Sequence, residues 1–149
     1  LNGLTSITDE QAESLSKVHN LQLSSLTSIT DEQAESLSKS ELSLNFNGLT
    51  SITDEQAESL GKVNSLLLAG LTSITDEQTE SLSKVKMVLN LNGLTSITDE
   101  QAESLSKVRS LDLNGSTYIT DEQAKSLSNV KYLLVSKANK KLIDKYKTQ

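Results

Sequence analysis

The sequence predicts an α/β solenoid: stacked rungs of one short strand and one short helix, with the strands forming a parallel sheet. Three observations predict it. The stretch LTSITDEQAESLSK occurs letter for letter at 4–17, 26–39 and 94–107, with near-copies at 49–62, 71–84 and 116–129. The threonine of its TDEQ core recurs at Thr8, Thr30, Thr53, Thr75, Thr98 and Thr120, at spacings of 22 and 23 residues. A fixed period in the twenties marks a stack of one repeated supersecondary unit. Within each period an alternating apolar run precedes a helix-start signal, so each unit holds one strand and one helix.

The alternation of 22 and 23 has a simple origin. Residues 8–52 and 53–97 align without gaps as two 45-residue units, identical at 33 positions. Duplication of a pair of rungs explains this. The extra residue falls between the Lys that ends SLSK and the next strand, where a loop absorbs it.

The strands come first in each rung. LQLSSL (21–26), LNFNGL (44–49), LLLAGL (66–71), LNLNGL (89–94) and LDLNGS (111–116) alternate apolar and polar residues. Leu21/Leu23, Leu44/Phe46, Leu66/Leu68, Leu89/Leu91 and Leu111/Leu113 are expected to point inward. Gln22, Asn45, Leu67, Asn90 and Asp112 are expected to point outward, and Asn-Gly or Ala-Gly to end most strands in a turn.

The helices follow. In SITDEQAESLSK, Thr8 is an N-cap and Gln11, three residues on, completes a capping box. Ile7 and Ala12 fit the hydrophobic staple. Asp9 and Glu10 suit the positive end of the helix dipole and Lys17 the negative end. Ala12 and Leu15 share the buried face, while Glu13 and Ser14 face water. A helix of about nine residues is marginal alone, so packing must hold it. One rung offers few large apolar side chains (Val18, Leu21, Leu23, Leu26, Ile29, Leu37, with Ala34). These do not offset the entropy of ordering its backbone, so rungs must stack.

The repeat decays in VKYLLVSKANKKLIDKYKTQ. Leu142, Ile143 and Tyr146 are spaced for one face of a helix, expected to cap the last rung. The solenoid is thus assigned to residues 1–136, about six rungs, and a capping helix and tail to 137–149. The N-terminus starts within a repeat, so the chain reads as a mature product or a piece of a longer protein. Its open strand edge is a pairing hazard, through which copies would associate edge to edge.

The frame V-x-x-L-x-L-x-x-L-x-x-I-T-D, read from Val18, Leu21, Leu23, Leu26, Ile29, Thr30 and Asp31, resembles leucine-rich repeats. It is closest to the types with an I-T-D segment after the strand, and to short, near-identical repeats of bacterial proteins. The resemblance covers residues 1–136. It implies a curved, right-handed solenoid with the sheet on its concave face and short helices on the convex face. It also implies a non-enzymatic module that binds protein, often through the concave face. Leu26, Leu49, Leu71 and Leu94 depart from the family, many of whose members carry Asn or Cys there. Apolar packing, and not a buried amide ladder, is therefore expected to hold the loop.

Charge and composition narrow the function. Residues 1–124 carry 7 basic and 19 acidic side chains, and residues 125–149 carry 7 lysines and one acid, for a net charge of −6. An acidic body argues against nucleic acid as partner. No apolar run approaches a membrane span, so no insertion is expected. The chain has no Cys, which excludes disulfides and thiolate metal sites.

Four candidate chemistries stand beside plainer readings. The row Asp9, Asp31, Asp54, Asp76, Asp99, Asp121 could hold Ca²⁺, but each Asp also serves its own helix start, and no calcium-loop spacing is present. The row Thr5, Thr27, Thr50, Thr72, Thr95, Thr117 has the regularity of an ice-binding face, but duplication alone produces it. His19, the single His, lies in a variable loop without an orienting acid. The triplet Asn114-Gly115-Ser116 fits a glycosylation acceptor, as one triplet does by chance. No catalytic, cofactor or metal residues are assigned.

The expected binding face is the outward side of the strands: Gln22, Asn45, Leu67, Ala69, Asn90, Asn92, Asp112 and Asn114. Ser24 and Asn47 share it. The rungs differ mainly there and in the helix-to-strand loops (His19-Asn20, Ser40-Glu41, Asn64-Ser65, Lys86-Met87, Arg109-Ser110). The face is rich in amides and lacks aromatic or Arg anchors. The expected function is a protein-interaction module of a larger bacterial protein, placed outside the cell or on its surface. The alternative is a structural spacer or display array whose length matters and whose surface does not.

Overall fold

The computed structural model describes residues 3–39, 43–116 and 118–147. Ser40-Glu41 of the variable loops and Thr117 of the threonine row lie outside them. The described elements are α1 (Asp9–Leu15), β1 (Asn20–Gln22), α2 (Asp31–Ser38), β2 (Ser43–Asn45), α3 (Asp54–Leu60), β3 (Ser65–Leu67), α4 (Asp76–Leu82), β4 (Val88–Asn90), α5 (Asp99–Leu105), β5 (Ser110–Asp112), α6 (Asp121–Leu127), β6 (Tyr132–Leu134) and α7 (Lys137–Lys147). The strands lie in chain order in one open sheet, parallel throughout. The helices pack on their neighbours in the same order. This is the expected α/β alternation, compatible with a solenoid-like repeat.

Register follows the period. Leu21, Leu44, Leu66, Leu89, Leu111 and Leu133 stand side by side. The expected inward residues of β1–β5 are all buried. Each strand starts one residue before its leucine and is only three residues long. The ladder nevertheless runs on by one bond, as where the Leu23 N–H donates to the Asn45 carbonyl at 3.0 Å. The sixth strand, β6, was not among the alternating runs read from the sequence.

Every strand ends in a tight turn, such as the bond from the Leu94 N–H to the Leu91 carbonyl at 3.1 Å. The glycines in these turns do not supply a left-handed residue, since Gly3 is the glycine with positive φ. They allow close stacking. A Cβ on Gly93 would lie 2.2 Å from the Ala69 carbonyl oxygen, and one on Gly115 1.8 Å from that of Asn92. Neither carbonyl can give way without moving its rung.

The capping boxes form at all six N-terminal Thr residues, from Thr8 to Thr120. The helices are shorter than expected: seven residues in α1, with Lys17 beyond the C-cap Ser16, outside the last turn. A turn explains the shortening. The Val18 N–H bonds the Leu15 carbonyl at 3.0 Å, tightening the backbone as the chain swings toward the strand. Val63, Val85, Val108 and Val130 end such turns in the core, but Val18 is 44% exposed, which corrects its expected place inside.

Leu26, Leu49, Leu71 and Leu94 are fully buried, as expected of apolar loop packing. The expectation that no amide ladder exists is wrong. At the start of each helix the capping-box glutamine also reaches the preceding rung. Gln33, Gln56, Gln78, Gln101 and Gln123 donate from Nε2 to the carbonyls of Ile7, Ile29, Ile52, Ile74 and Ile97 at 2.9–3.0 Å. All five are buried. One side chain thus closes its own helix start with Oε1 and ties two rungs together with Nε2.

Helix α7 packs on α6. Ile143 is buried, and Asn139 Nδ2 donates to the Ser116 carbonyl at 2.9 Å. Lys145 Nζ and the Tyr146 hydroxyl both donate to Asp121 Oδ1.

Candidate functional site

Parallel pairing carries the outward positions of the sheet into three rows. One holds Gln22, Asn45, Leu67, Asn90, Asp112 and, from β6, Leu134. A second holds Asn20, Ser43, Ser65, Val88, Ser110 and Tyr132, and arises because the strands begin earlier than read. The third continues past the strands through Ser24, Asn47, Ala69, Asn92 and Asn114. The structure therefore brings the eight expected residues together on one side. Gln22 and Asn114 are exposed, and the other six are half-buried.

Much of this polar surface is occupied with itself. Asn45 Nδ2 donates to Gln22 Oε1 at 2.8 Å, and Asn90 Nδ2 to Asp112 Oδ2 at 2.9 Å. Asn45, Asn90 and Asp112 each accept from the backbone N–H two residues on. Asn47 Oδ1 accepts the N–H of Ala69 in the next rung at 2.9 Å. These side chains satisfy turn backbone that the sheet leaves unpaired. An open hollow of about 230 Å³ between β1 and β4 has Leu67 and Val88 among its lining residues.

The end of the face differs. Tyr132 is 54% exposed and Leu134 64% exposed, both on the outward side of β6, and the Lys131 ammonium lies 5.4 Å from the Tyr132 ring. The expectation that the face lacks aromatic anchors is corrected here. The signal was present in the sequence: 22 residues beyond Leu111 stands Leu133, whose neighbours Tyr132 and Leu134 must point outward.

The acidic row serves the stack. Asp31, Asp76 and Asp99 accept from the N-cap hydroxyls of Thr53, Thr98 and Thr120, and Asp9 accepts from Gln33. Among the described residues no three His, Asp or Glu side chains gather to hold a metal ion. The Asp121 carboxyl is held below its usual range, first by the Tyr146 hydroxyl and then by Lys145. The same contacts push the Lys145 and Tyr146 values up. His19, Thr5, Thr27, Thr50, Thr72 and Thr95 are exposed. Ser116 of the glycosylation triplet is buried, its hydroxyl directed at the Leu94 carbonyl. No described helix is long and apolar enough to cross a membrane.

The chain matches no model of a known protein family and no curated protein.

Proposed function

We propose that this chain is a non-enzymatic, leucine-rich-repeat-like binding module that takes a protein partner on the outward face of its sheet. In this reading the rungs coil right-handedly, the face is concave, and α7 is the cap of the C-terminal end. The observation that carries it is the exposure of Tyr132 and Leu134 in register with Ser110 and Asp112. Aromatic side chains beside apolar ones on a rigid strand suit the centre of an interface, where a few anchors dominate affinity. The half-buried Leu67 and Val88 extend the apolar path across the sheet. The partner fitted to this surface is a protein segment with apolar side chains and backbone groups free to bond the amides around them.

The self-contained amide contacts favour a second reading, a spacer whose surface is not used. One experiment separates the two. The chain is used as bait in cell extract, and captured proteins are compared among wild type, Tyr132→Ala/Leu134→Ala and the helix-face control Glu58→Ala. A binder loses a partner in the double variant and keeps it in the control. A spacer shows no capture that depends on Tyr132 and Leu134, but its function responds to deletion of the 45-residue unit 53–97.

A further inference from the structure

Each end of the stack holds half of something. Helix α1 has no described strand before it, and its side away from α2 is uncovered: Leu4 is 37% exposed and lines an open apolar hollow with Ile7 and Leu15. At the other end β6 is a strand whose following helix, α7, does not carry the repeat sequence. The interior shows what an uncovered α1 fits. Residues 26–39 and 94–107 repeat residues 4–17 letter for letter. In those copies the corresponding side lies against the preceding helix, the leucine is fully buried, and Gln33 and Gln101 bond the carbonyls of Ile7 and Ile74.

The surface that would receive α1 is that of α6, and α7 occupies it. Asp121 stands where Asp31, Asp76 and Asp99 accept the next rung's Thr hydroxyl, and here it accepts from Tyr146 and Lys145 instead. In place of a rung, α7 thus satisfies the rung's acceptor.

We propose that the uncovered side of α1 is a docking surface for a second copy of this chain, which it meets on α6 and β6 once α7 swings away. The strand β6 of one copy and the helix α1 of the next then complete one hybrid rung. In it Gln11 reaches the Ile119 carbonyl, Thr8 reaches Asp121, and β1 pairs with the free edge of β6. The contact is head to tail, so it does not close on itself and stacks grow as lines. Helix α7 is the stop that holds the chain as a monomer.

The test uses the full chain carrying Ile143→Asp, which removes the buried apolar anchor of α7 and leaves the six capping boxes intact. Circular dichroism reports folding, and sedimentation velocity reports mass across a concentration series. The expected result is loss of the monomer boundary as concentration rises. Equimolar wild-type protein restores small species, because each wild-type chain docks by its α1 side and presents a closed α7 end. Adding Leu4→Asp to the same chain is expected to restore the monomer. A folded, monomeric Ile143→Asp chain overturns the proposal. So does association that ignores both wild-type protein and Leu4→Asp, which would be nonspecific sticking. Should Ile143→Asp fail to fold, a protease site inserted between Ser136 and Lys137 is cut in the folded wild-type chain. Release of α7 with linear association supports the proposal. Release without association, or α7 remaining bound through gel filtration, overturns it.

Discussion

Residues 4–17 and 94–107 share every letter, yet they live in different surroundings. Ile7 and Ile97 are buried alike, at 9% and 8%, and Ala12 and Ala102 completely. These side chains face the core of their own rung and the rung that follows, which both copies have. Leu4 is 37% exposed where Leu94 is fully buried, and Gln11 is exposed where Gln101 is buried. These face backward, and only the second copy has a rung there. Burial in this protein is therefore set by stacking neighbours, one face at a time, as expected where each repeat contacts only those beside it.

The comparison predicts unequal costs for equal substitutions. Leu94→Ala leaves a cavity between two rungs and is expected to destabilise by about 2–5 kcal/mol. Leu4→Ala removes a side chain already partly in water and is expected to cost less than about 1 kcal/mol. Urea denaturation of both variants reads the difference. Equal costs would mean that the first rung is not open on its backward side, and the contrast between the two copies would collapse.

Gln101→Glu and Gln11→Glu sharpen the comparison at a single atom. A glutamate oxygen still accepts the N-cap N–H, so the capping box survives in both. What is lost is the Nε2 donor. At position 101 that loss leaves the Ile74 carbonyl facing an oxygen in a buried place, with an expected cost of about 1–3 kcal/mol. Gln11 bonds only within its own helix start, so its substitution is expected to be near neutral. A similar loss at both positions in thermal melts would show that the glutamine matters for its helix alone, and would remove the amide ladder as a tie between rungs.

The legible parts of this structure are those that one rung dictates. The period, the inward leucines and the Thr–Gln capping boxes follow from spacing within a rung, and the structure contains them. What was not legible depends on the rung above or below. The second task of Gln33 and its equivalents requires knowing where a neighbour's Ile carbonyl falls. The glycines at 93 and 115 read as turn formers, yet their reason is a carbonyl of the preceding rung. Val18 reads as core because it matches Val63 in the repeat, but it lies in the edge rung. On the candidate face the eight sequence-chosen residues do share one side. The anchors Tyr132 and Leu134 were missed because the end of the chain was read as decayed repeat.

The smallest expected effect concerns the closing contact on α7, compared with its interior counterparts. Asp99 accepts from a neutral hydroxyl, whereas Asp121 accepts from both a hydroxyl and an ammonium, and its carboxyl is held below the usual range. The folded form therefore favours the ionised carboxylate. As pH falls, the unfolded or detached state takes up the proton first, so the contribution is complete above about pH 4 and fades below it. Because Asp121 is exposed, solvent screens the contact and the effect is expected to be small. Amide exchange of α7 is expected to be slower in wild type than in Asp121→Asn at neutral pH, and equal in the two once Asp121 is protonated. Differences that persist unchanged into acid would assign the seating of α7 to Ile143 and Asn139 alone. The carboxylate would then be a bystander, and the resemblance between α7 and a true rung would rest on shape and not on the shared acceptor.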